Sequence, residues 1–95
     1  MAAKAAAKQG TWKHSRRVAW RKVADEAVIL DVESAVYYSL SGAGRRMWEL
    51  LGKGHTAAAI GRALAADYDA GEDDIREDCA ALVSRLLKAG LIERA

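Results

Sequence analysis

From Val18 onward the polar and apolar positions follow two successive periods. Val18-Ala19-Trp20-Arg21-Lys22-Val23 reads as a short strand, Ala24-Asp25-Glu26 as a turn, and Ala27-Val28-Ile29-Leu30-Asp31 as a second strand rich in β-branched residues. A polar connection, Val32-Glu33-Ser34-Ala35, leads into Val36-Tyr37-Tyr38-Ser39-Leu40. There Val36, Tyr38 and Leu40 alternate with Tyr37 and Ser39, the period of a strand with one buried face. Three strands joined by short connections predict an antiparallel meander whose outer strand offers unpaired backbone groups.

After Leu40 the period becomes helical. Ser41 is placed to cap a helix running from Gly42 to Leu51, with an apolar stripe of Met47, Trp48, Leu50 and Leu51. Gly52-Lys53-Gly54 ends it. Thr56 caps a second helix, in which Ile60, Leu64 and Tyr68 fall on one face, and Asp69-Ala70-Gly71 breaks it. The third begins with Glu72, Asp73 and Asp74, acids that suit a helix N-terminus. Its stripe is Ile75, Cys79, Leu82 and Leu86, widened by Val83 and Leu87, and Gly90-Leu91 has the pattern of a Schellman stop. The predicted class is α+β: a three-stranded antiparallel sheet followed by three helices, with a winged helix-turn-helix-like order.

Length and composition narrow this reading. Ninety-five residues, 52% of them hydrophobic, suffice for one small core and exclude disorder as the state of the whole chain. No apolar run reaches the roughly 18–20 residues of a membrane span, so no membrane partner is expected. The single cysteine, Cys79, excludes an internal disulfide and fits a reducing, cytoplasmic setting.

Charge changes the picture more. Residues 1–22 carry Lys4, Lys8, Lys13, Arg16, Arg17, Arg21 and Lys22 and no acid, a charge of +7, while the remainder carries −5. The chain therefore divides into a basic N-terminal arm, residues 1–17, flexible or weakly helical, and a domain over residues 18–95. Such an arm is either a solvated tail or a contact for an acidic peptide, a partner enzyme or nucleic acid. Trp12, flanked by basic residues, either folds onto the sheet or belongs to a docking surface.

Candidate chemistry is sparse. His14 lies in the arm and His55 in a glycine-rich loop, and Cys79 on an apolar stripe reads as a buried structural thiol. No metal-ligand spacing occurs, and Gly42-x-Gly44 lacks the remainder of a phosphate loop. No cofactor, metal or catalytic set is expected, and the chain is not read as an enzyme. Three helices behind a small sheet also suit a DNA-binding winged helix. The helix in the reading position, however, would present Glu72, Asp73, Asp74, Glu77 and Asp78 to the duplex, with Arg76 alone to offset them. Nucleic acid is disfavoured as a partner, and a dimerising module through the free edge is left open.

The stretch Leu30-Asp31-Val32-Glu33-Ser34-Ala35-Val36-Tyr37-Tyr38-Ser39-Leu40-Ser41-x-x-Gly44-x-x-x-Trp48-x-Leu50-Leu51 resembles the PqqD-like family of peptide-modification chaperones. So do Thr56-x-x-x-Ile60 with Leu64 and Tyr68-Asp69, and the ending Asp78-Cys79-x-x-Leu82-Val83-x-x-Leu86-x-x-x-Gly90-Leu91-Ile92. The resemblance spans roughly residues 20–93. It implies a winged-helix-like fold that binds a ribosomal precursor's leader peptide and delivers it to a modifying enzyme or leader peptidase. The Asp-x-Glu-Ser-x-x-Tyr-Tyr-x-Leu-Ser pattern is similar to the stand-alone chaperones of lasso-peptide pathways. PqqD proper, of pyrroloquinoline quinone synthesis, has a longer Trp-Val-Leu-type strand and a Pro-Glu before the third strand, and neither is present.

By this resemblance the leader adds as a strand to the edge formed by Val36, Tyr37, Tyr38, Ser39 and Leu40. Backbone pairing nets only about 0.5–1.5 kcal/mol per hydrogen bond, so specificity must come from side chains. The cleft between that strand and the third helix would be lined by Tyr37 or Tyr38, Leu40, Leu82 and Leu86, with Asp78 and Arg85 placed to meet polar leader groups. Each also has a plainer reading: one tyrosine and the two leucines as core, and Arg85 as a solvated charge. Trp48 reads as a core anchor and Trp20 as a cover for the sheet.

Overall fold

The structure, a computed structural model, describes residues 10–95, so most of the expected Met1–Gly10 tail lies outside the described residues. Strands β2 (Val18–Val23), β3 (Glu26–Asp31) and β4 (Val36–Ser41) form an antiparallel sheet in the order β2-β3-β4. Helices α1 (Gly42–Gly52), α2 (Ala57–Ala65) and α3 (Glu72–Ala89) follow, which is the expected α+β order.

The period-2 pattern reads directly onto the two faces. The register aligns Trp20, Ile29 and Tyr38 in one row and Lys22, Ala27 and Leu40 in the next. Ala27 and Ile29 are fully buried, and Trp20, Tyr38 and Leu40 pack against the core. That inner face rests on the helices. Trp48 and Leu51 from α1, Ile60 and Leu64 from α2, and Cys79, Val83 and Leu86 from α3 complete the core. Burial of an aliphatic or aromatic side chain is worth about 1.5–3 kcal/mol, so this shared cluster holds the layers together.

The helix ends depart from expectation in two places. Ser41 occupies the N-cap of α1, but its side chain makes no capping hydrogen bond, whereas Thr56 Oγ1 accepts from the Ala59 amide at 3.1 Å. The second helix stops at Ala65, one turn early, so Tyr68 is left exposed rather than joining the Ile60–Leu64 face. At the end of α3 the Schellman stop forms as read. Gly90 takes φ 75°, its amide donates to Leu87 O, and the Leu91 amide donates to Leu86 O.

A second, two-stranded ribbon was absent from the sequence reading. β1 (Trp12–His14) pairs antiparallel with β5 (Ile92–Arg94). Part of the segment expected as an arm therefore lies in the fold. Trp12 is 2% exposed and packs in the core, with the Arg94 guanidinium 5.6 Å above its ring. The fold thus includes residues that precede Val18, from Trp12 onward.

His14 explains how the ribbon is anchored. Its ring stacks on Trp48 at 3.7 Å and meets Trp20 edge-on, and its Nε2 donates to Trp48 O at 2.9 Å. An acceptor at that position requires the proton on Nε2. Burial pushes the His14 pKa below the ordinary histidine value, partly opposed by the hydrogen bond to Trp48.

Candidate functional site

β4 pairs with β3 on one side only, with Val36 opposite Asp31 and Leu40 opposite Ala27. Among the described residues its other edge has no strand partner. Between that edge strand and α3 runs a groove of about 160 Å³, lined by Ile29, Tyr38, Ser39 and Leu40 from the sheet side and Arg85, Leu86 and Ala89 from the helix, with Leu91 beyond the helix end.

Five of the expected site residues meet here: Tyr38, Ser39, Leu40, Arg85 and Leu86. The pleat decides between the tyrosines, because Tyr38 shares the inner row with Trp20 and Ile29 while Tyr37 points to the other face and is 68% exposed. Val36 offers its backbone to the same edge, with its side chain exposed. Asp78 and Leu82 do not line the groove. They lie on the helix stripe that continues through Arg85 and Ala89, one to two turns toward the N-terminus, with Asp78 exposed and Leu82 in the core.

Ile29, Ala89 and Leu91 were missed. Ala89 follows Arg85 by four residues and was legible from the helical period. Leu91 reaches the groove only because the Schellman turn folds it back.

The walls of the groove are joined by a polar link. Asp31, 2% exposed, accepts from the Glu33 amide at 3.0 Å and the Ser34 amide at 3.3 Å, which closes the β3–β4 turn. Its Oδ2 pairs with the Arg17 Nη2 at 3.0 Å, and that same nitrogen donates to Ala89 O at 3.1 Å. Arg17 thereby ties the strand turn to the last carbonyls of α3, where a cation is favoured. Burial opposes ionisation of Asp31, but the Ser34 and Glu33 hydrogen bonds and the Arg17 charge outweigh it and hold its pKa below the usual value. The Asp-x-Glu-Ser motif is thus a turn device, with no residue in the groove itself.

The groove combines the apolar Leu40 and Leu86 with Tyr38 and Arg85. Cys79 is buried, and burial pushes its thiol up to about 12, which keeps it protonated at neutral pH. Among the described residues no three His, Cys, Asp or Glu side chains cluster to hold a metal, and no helix is long and apolar enough to cross a membrane.

The fold is shared with proteins of known structure. A structure of TbiB1 in complex with the TbiA(beta) leader peptide is 28% identical, with a TM-score of 0.79 over 85% of this chain and 94% of that one. A lasso peptide synthetase B1 complexed with the leader peptide, 24% identical, shares the fold with a TM-score of 0.80 over 86% of this chain and 96% of that one. No curated protein matches the sequence. A family profile described as coenzyme PQQ synthesis protein D (PqqD) matches residues 26–92, from the second strand of the sheet to the final ribbon, and the chain belongs to that family.

Proposed function

We propose that this protein is a non-catalytic chaperone that binds the leader of a ribosomal precursor peptide and presents it to a modifying enzyme or leader peptidase, in a lasso-type pathway. The observation that carries this reading is the open edge of β4 beside the Tyr38–Leu40–Arg85–Leu86 groove. It occurs in a fold shared with two proteins solved with leader peptides. An extended leader would pair with the edge while alternate side chains enter the groove. Arg85 is exposed at the rim, where it can meet a carboxylate or carbonyl of the leader.

The electrostatics of α3 speak against duplex DNA. Glu72, Asp73 and Asp74 are exposed at its N-terminus, and Arg76, the one cation in residues 72–78, is engaged by Asp73. The family profile favours a second reading, a role in quinone-cofactor synthesis, which differs in the precursor bound.

Calorimetry with the leader of the precursor encoded beside this chain tests the proposal. Micromolar or tighter binding is expected, weakened by a proline placed in the pairing segment, which removes a ladder donor. No heat with any adjacent precursor would overturn it. Binding of a quinone-type precursor in preference to a lasso-type one would select the second reading.

A further inference from the structure

The sheet has a second face. Ala19, Leu30 and Tyr37 align across the three strands, followed by Arg21, Val28 and Ser39, all on the side opposite the Trp20–Ile29–Tyr38 row. Ala19, Arg21, Val28, Leu30 and Tyr37, with Trp20 at the margin, line a shallow hollow of about 260 Å³, and no residue of the described helices lines it. A solvated sheet face normally alternates to polar residues, so Ala, Leu, Val and Tyr here are out of pattern. Contiguous exposed apolar surface on a small protein marks an interaction site.

We propose that this outer face docks the partner enzyme, through an apolar element that sets a carboxylate against Arg21. The inference rests on the leader-binding reading. Charge argues for this occupant over a second copy. Arg21 has no ion-pair partner among the described residues, and Glu26, on the same face, is engaged by the Ser39 hydroxyl. Two such faces packed together would bring each Arg21 only a carboxylate, Glu26, that already accepts from Ser39, and would bury both guanidinium groups at once, which is costly without full pairing. A partner carboxylate satisfies Arg21 and leaves the apolar rows to be covered.

Position argues for the enzyme. The leader edge and groove use the backbone of β4 and the inner face of the sheet. Tyr37 belongs to the same strand but projects outward, so a protein seated on the outer face lies alongside the bound leader without displacing it. A carrier that delivers a peptide needs two such separate surfaces.

The test uses the full chain and the purified modifying enzyme or leader peptidase encoded beside it. Ala19→Glu and Arg21→Glu lie on the strand farthest from the leader edge and should leave leader affinity, measured without the enzyme, within about twofold. Affinity for the enzyme should fall by about tenfold or more in both and recover in Arg21→Lys. Unchanged enzyme affinity with leader binding intact overturns the proposal. So does a wild-type dimer in sedimentation that Ala19→Glu dissociates, since that assigns the face to a second copy. Failure of the wild-type chain to bind leader removes the functional reading, and this proposal with it.

Discussion

His14 and Asp31 are the two side chains whose protonation the fold perturbs most informatively. His14 binds its proton less tightly folded than unfolded, because its ring is desolvated against Trp48 and Trp20. The stability this contributes is present above the ordinary histidine pKa of about 6.5 and is lost as pH falls from there through the folded value. Urea midpoints measured between pH 8 and pH 5 should decline through that range, and His14→Phe should flatten the decline. An equal slope in the variant would exclude His14 as its source. Asp31 behaves in the same direction at lower pH. Its folded pKa lies below the usual carboxylate value of about 3.9, so its contribution is intact above that value and is lost as pH falls through the folded one. Acid unfolding followed by circular dichroism should begin at higher pH in Arg17→Ala, which removes the guanidinium from Asp31 and from the end of α3. These two residues were only half legible in the sequence. Asp31 stood out as part of a motif, but its partner lies 14 positions away in a segment that read as a tail.

At the scale of elements, β4 and α3 each carry two roles that the side-chain periods separate. Along β4 the inner residues Tyr38 and Leu40 pack toward the groove while Tyr37 and Ser39 face outward. Along α3 the stripe Cys79, Val83 and Leu86 is core, and Arg85 stands at the groove rim. Arg85→Ala should therefore leave thermal stability nearly unchanged, within about 0.5 kcal/mol as for exposed positions. It should weaken leader binding by about tenfold or more, the equivalent of ~1.5 kcal/mol for a hydrogen bond to a charged group. Calorimetry beside a thermal melt separates the two effects, and equal affinity would remove Arg85 from the site. The strand and helix periods made the groove's walls visible in advance, since each period is a local property of the chain. Which tyrosine enters was decided by the register with β3. That Asp78 and Leu82 fall outside the groove was decided by where along α3 the strand sits.

At the scale of the whole described fold, the β1–β5 ribbon closes the molecule. β1 and β5, three residues each, bring Trp12–His14 onto Ile92–Arg94, and the Ser15 amide donates to Leu91 O at 3.0 Å beside them. Trp12 is buried by this closure, and Arg17 reaches α3 through it. A chain of residues 18–95 should consequently be far less stable than one of residues 10–95. Loss of a buried tryptophan alone costs about 3–5 kcal/mol, against a total of about 5–15 kcal/mol for an ordinary domain. Denaturant titration of the two fragments checks this, and matching midpoints would show the ribbon to be dispensable.

The sequence by itself determined the order of the three sheet strands and three helices, most of the buried face of each, the glycine stop at Gly90 and a free edge strand beside a helix. All of these are written in spacings of a few residues, which local sterics and burial enforce one element at a time. The tertiary structure alone decided that the basic segment supplies a strand, a stacked histidine and a structural arginine, and that the sheet keeps an apolar outer face. Three-residue strands have too few positions to show a period, and their pairing energy comes from a partner some 80 residues away. Only when the sheet and helices have brought the two ends together does that pairing, and the surface it leaves open, come into existence.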